Sequence, residues 1–120
     1  MDLPTKKLTN VPTVLVLGED RPPELITEIA AEVGAATRAS SLALAATTAA
    51  SIRPVAILLT EELYAFDRAG FEALAWDVGA RIIRISGANA PVEEVRFLVQ
   101  GTVWSVLRLR AKARSAEAKR

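Results

Sequence analysis

The chain has 120 residues, 51% of them hydrophobic, which suits one domain with a core of its own and no need of disulfides or metal. It contains no Cys and no His. Thiolate and imidazole metal sites, thiol nucleophiles and Ser-His-Asp hydrolysis are therefore excluded together. Lys and Arg exceed Asp and Glu by 15 to 14, a balance that argues against nucleic acid binding over the whole surface.

Residues 1–11, with Pro4, Lys6 and Lys7 and little apolar content, are expected to form a flexible arm. No basic-then-apolar leader and no long apolar span precede the first strand, so a cytoplasmic location is expected. Thr13-Val14-Leu15-Val16-Leu17 is apolar without polar alternation, the pattern of a strand covered on both faces in a parallel sheet. It breaks at Gly18-Glu19-Asp20. Pro23 can open a helix, predicted over 23–33, in which Leu25, Ile26, Ile29, Ala30 and Val33 form one stripe. Glu24 lies in its first turn and Gly34 stops it.

Residues 35–39 are poor strand formers, yet the spacing of a βαβ unit places a short strand there. Ser40 or Ser41 is expected to cap an Ala-rich helix over 42–51. Val55 to Thr60 is a second fully apolar strand. Glu61 to Phe66 reads as a connection or short helical turn, and Asp67 as the cap of a helix over 68–78 carrying Phe71, Leu74, Ala75 and Val78 inward, with Gly79 ending it. Trp76 lies off that stripe. Arg81 to Ser86 is a third strand, polar enough for a place near the sheet edge.

Pro91 opens the last helix, predicted over 91–113. Val92, Val95, Leu98, Val99, Thr102, Val103, Val106 and Leu109 gather on one side of it at 100° per residue, while Phe97, Gly101, Trp104 and Arg108 line the other. Two rings flanking a Gly on an outward stripe suggest a partner-binding face. The alternative for Thr102 to Leu109 is a fifth strand. From residue 114 the chain ends in a basic tail, which offers a salt-sensitive contact to nucleic acid or membrane as a minor alternative.

Strands alternating with helices imply right-handed βαβ crossovers: an α/β, flavodoxin-like three-layer sandwich with a mostly parallel sheet of four to five strands and a long C-terminal helix. Ligands in such sheets sit at the carboxyl ends of strands. Here those ends carry Gly18-Glu19-Asp20, Thr60-Glu61-Glu62 and Ser86-Gly87. In this pattern the chain resembles the receiver domain of bacterial response regulators over Thr13 to Ser86. The resemblance makes Glu19 and Asp20 the counterparts of the magnesium-holding acidic pair, and Ser86 that of the hydroxyl position. Thr60 stands where the family has its phosphorylated Asp, and no strand ending in Lys-Pro follows Ser86.

A receiver so altered is expected to work by protein contact in bacterial signalling, not as an enzyme. Phosphoryl transfer needs a carboxylate that Thr60 lacks, and Glu61 and Glu62 come one position late. No glycine-rich phosphate cradle is present, and aromatic platforms for a sugar are few. No cofactor and no small-molecule substrate are expected. The expected partner is a protein, a second copy first, held by Phe97, Gly101, Trp104 and Arg108, with Trp76 and Tyr64 as further contacts. The alternative is a magnesium-binding or phosphorylation-dependent receiver using Glu19, Asp20 and Glu61.

Overall fold

The two runs without polar alternation lie side by side in the middle of the sheet and are buried on both faces. The structure, a computed structural model, describes residues 11–87 and 89–118. The expected arm lies outside these residues up to Asn10.

Strand β1 (Thr13–Leu17) is followed by helix α1 (Glu24–Ala31), β2 (Ala36–Ser40), α2 (Ala45–Ile52) and β3 (Ala56–Thr60). Helices α3 (Glu61–Phe66) and α4 (Arg68–Val78), strand β4 (Arg81–Ile85) and helix α5 (Val92–Ala118) complete the order. The four strands form one parallel sheet in the order β2-β1-β3-β4. The first strand lies inside the sheet, the flavodoxin-like arrangement, and helices cover both faces.

Side-chain alternation along the strands divides the core into two layers. Val14 and Val16 of β1, with Leu58, Ile83 and Ile85, meet Ile26 and Ile29 of α1 and Val95, Val99, Val103 and Val106 of α5. Leu15 and Leu17 point the other way and join Ile57 and Leu59 against α2 and α4 through Ala45, Ala49, Ala75 and Val78. The small residues of α2 let its backbone approach the sheet closely.

Three local expectations need correction, and one open alternative is decided. Ser40 ends β2 instead of capping a helix: it is the one buried polar residue among the described residues, its hydroxyl donating to the Ser41 carbonyl at 2.9 Å, while the Ser41 hydroxyl oxygen accepts the Leu44 N–H at 3.4 Å in the turn before the helix and not at its cap. Helix α2 accordingly starts at Ala45, three residues later than its alanines suggest. Thr102 to Leu109 is helix, because valines spaced for a helix at 95, 99, 103 and 106 seat α5 on the sheet. Helix α5 also runs on through Ala118, so the first part of the expected basic tail is helical backbone.

Asp67 caps α4 as the spacing requires, accepting the Gly70 N–H at 3.1 Å, and Gly79 ends it in the left-handed region. Strand β2 has little intrinsic preference for its state; a full five-residue register against β1 makes it a strand.

Candidate functional site

At the carboxyl ends of β1 and β3, where doubly wound sheets open a crevice for ligand, helix α3 follows β3 directly and sets a side chain against the β1 end. Strand β3 enters α3 with no intervening loop. Thr60 is the cap of that helix, its hydroxyl oxygen accepting the Leu63 N–H at 3.2 Å. The Leu63 side chain then lies against Gly18, with its Cδ2 3.1 Å from where a Cβ on Gly18 would sit. Gly18 has φ +82°, so a glycine is required there for its conformation and for this approach.

The same helix holds a short polar chain. Glu61 pairs with Arg84 at 3.3 Å, the Arg84 guanidinium lies 4.6 Å from the centre of the Tyr64 ring, and the Tyr64 hydroxyl donates to Glu72 at 2.5 Å. That bond to a carboxylate, together with burial, raises the Tyr64 pKa above the ordinary phenol value. Tyr64 stacks on Phe71 and is buried, so it is not available to a partner, contrary to its place among the expected contact residues. A six-residue helix had no stripe from which to assign its inward side.

Of the residues matched to the receiver pattern, Thr60 and Ser86 are brought near each other, since Thr60 stands beside Ile85 in register. Thr60 is committed to its own helix, and Ser86 makes a long contact of 3.5 Å to Glu94. Glu19 and Asp20 are exposed. Among the described residues no three Asp or Glu side chains are grouped to hold a metal ion.

Helix α5 has one flank in the core and the other in solvent. Phe97 is 77% exposed and Trp104 59%, with Gly101 and Arg108 exposed beside them. Trp76 on α4 is 86% exposed. Phe66, at the end of α3, is 82% exposed and was not among the expected contacts; its signal is a large ring placed directly before the capping Asp67. The α5 anchor is polar as well as apolar. Gln100 donates to the Ile29 carbonyl at 3.0 Å and to Glu32 at 2.6 Å, and Arg96 pairs with Glu32 at 3.3 Å. The Gln100 amide and then Arg96 hold the Glu32 carboxyl below its ordinary pKa.

At the amino ends of the strands Arg53, Arg110 and Arg114 line a cleft, and burial lowers the Arg110 pKa, with Arg53 and Arg114 adding repulsion. On the far side of the sheet β4 is an edge strand. Hollows flank it on both sides, one between Arg81 and the Leu98, Gly101 and Ser105 side of α5, the other bounded by Trp76, Ile82 and Leu109. Among the described residues no helix is long and apolar enough to cross a membrane. The chain matches no protein-family model, no curated protein and no solved structure.

Proposed function

We propose that the protein is a receiver-like contact module without a phosphoacceptor, which acts in signalling by binding protein, including a second copy of itself, through helix α5. The observation that carries this is the pair of exposed rings, Phe97 and Trp104, on a helix whose opposite flank is already fully used by the core. Aromatic side chains and Arg supply most of the energy at protein interfaces, and Gly101 between the rings allows a close approach. The use of Thr60 as a helix cap, with Leu63 set against Gly18, supports a role by contact over one by chemistry at that end of the sheet.

The test compares wild type with Trp104→Ala for solution mass by light scattering and for proteins captured from the native cell. The reading expects the variant to keep its circular dichroism and melting temperature and to lose either the dimer or a captured partner. Unchanged mass together with unchanged partners would overturn it.

A further inference from the structure

We infer that a second copy of this chain pairs antiparallel with the free edge of β4, joining two four-stranded sheets into one of eight strands across a two-fold axis at Ile83. The inference rests on the contact-module reading for self-association, but moves the second copy from the Trp104 flank of α5 to the β4 edge and the part of α5 that borders it.

The first ground is the backbone. The Arg81 N–H bonds to the Val55 carbonyl, so along this parallel ladder Arg81, Ile83 and Ile85 turn their amides to β3. Ile82 and Arg84 turn theirs outward, where the described residues supply no further strand. Exposed edges are ordinarily blunted by proline, bulges or free charge. This one has no proline and three isoleucines in five residues; the charge of Arg84 is taken up by Glu61, which leaves Arg81 as its one charge without an ion-pair partner among the described residues.

The second ground is that, of the antiparallel self-registers centred on Ile82, Ile83 and Arg84, one satisfies the groups present. Centring on Arg84 would set the two Arg84 side chains opposite each other, which like charges disfavour. Centring on Ile82 would call on the Ala80 N–H, which is already bonded to the Ala75 carbonyl at 2.9 Å. Centring on Ile83 pairs each Ile82 with the other copy's Arg84. All four outward N–H groups then find carbonyls, and the two Ile83 residues face each other as the non-hydrogen-bonded pair.

Charge and area agree with that register. It places Arg81 opposite the second copy's Ile85, one residue before Ser86, whose hydroxyl faces Glu94. Among the described residues neither Arg81 nor Glu94 has an ion-pair partner in its own protomer. The axis thus creates two symmetric Arg81–Glu94 pairs. On the same face Leu98, Thr102 and Ser105 follow one another at spacings of four and three along the hollow beside Arg81, two of them small residues. Helices with such seams pack at about 8–10 Å. Trp76 and Phe97, each offering roughly 150–250 Å² of ring surface, border the strand and bring the interface toward the roughly 800 Å² per partner of a stable pair. Trp104 lies outside this contact and is left for a different protein.

The experiment measures the dimer dissociation constant by sedimentation for wild type, Ile82→Pro, Arg81→Glu, Glu94→Arg and the double charge swap, with circular dichroism on each. Wild type is expected to be a dimer. Ile82→Pro removes an outward N–H without touching the bonds to β3 and is expected to weaken the dimer about tenfold or more. Each charge reversal is expected to weaken it by about tenfold, and the double swap to recover to within about threefold of wild type. Should Ile82→Pro fail to fold, the exposed charge pair decides. A wild-type dimer that ignores both reversals and is lost on Trp104→Ala would overturn the edge geometry while leaving the α5 contact standing. A monomeric wild type would overturn the self-association itself.

Discussion

Arg53 ends helix α2 with φ +47° and ψ +66°, the left-handed region, where a side chain with a Cβ costs roughly 1 kcal/mol or more. Replacing it by glycine relieves that conformation, so Arg53→Gly is expected to raise the free energy of unfolding by about 0.5–1 kcal/mol in a urea titration. Gly70 gives the opposite expectation. Alanine is a better helix former by about 1 kcal/mol, but here the Asp67 carboxylate occupies the place of the added methyl. Gly70→Ala displaces the cap, which is itself worth about 1 kcal/mol, and forces the first turn to shift, so the variant is expected to melt lower than wild type. A higher melting temperature would mean that the cap is not held. Glu32 brings a pH dependence. Its folded pKa lies below the ordinary 4.5, so its contribution is complete above that value and is lost as pH falls through it toward the folded pKa. Glu32→Gln should therefore flatten part of the loss of stability on acidification below about 4.5. The effect should shrink with added salt, since the pair is half exposed.

Among the elements, α3 has the largest effect on the candidate site. Its placement directly after Thr60 turns a strand end into a helix cap and sets Leu63 over Gly18. Placing an acid at Thr60, the position that the receiver reading matches to a phosphoacceptor, is not expected to create a phosphorylation site. Asp serves as a cap as well as Thr does, so Thr60→Asp is expected to keep the fold, with a melting temperature that magnesium and beryllofluoride leave unchanged. A rise with both ligands would show that the crevice opens and that α3 is a movable cover. Tyr64 belongs to the same element and acts from inside. Tyr64→Phe leaves the exposed Glu72 to water and should cost about 1 kcal/mol, whereas Tyr64→Ala empties a buried aromatic site and should cost about 3–5 kcal/mol in chemical denaturation.

For the whole molecule, the sheet has no strand beyond β4 among the described residues, and α5 takes the length of chain that a fifth strand and its helix would occupy. A consequence is an open edge flanked by helices on both faces, next to the exposed rings of Trp76 and Phe97. In the same molecule Leu63 of α3 lies against Gly18 at the carboxyl end of β1. The proposed recognition surfaces accordingly lie at the side of the sheet and on the outward flank of α5.

The local patterns of the chain determined the elements and the class. Runs such as Thr13–Leu17 and Ala56–Thr60 have no polar face to show water, so they had to be central strands, and Asp67 and Gly79 carry the boundaries of α4 in their own chemistry. The two faces of α5 were legible for the same reason: the 3.6-residue period separates the valines from Phe97 and Trp104. Only the tertiary structure decided what has no local signature. Strand β2 exists because β1 offers it partners, Tyr64 is interior because Phe71 and Arg84 close over it, and Thr60 is a cap because α3 begins at the next residue. The open edge of β4 belongs to this second kind. Pairing is a relation between strands, and a sequence read one residue at a time does not state which relation is missing.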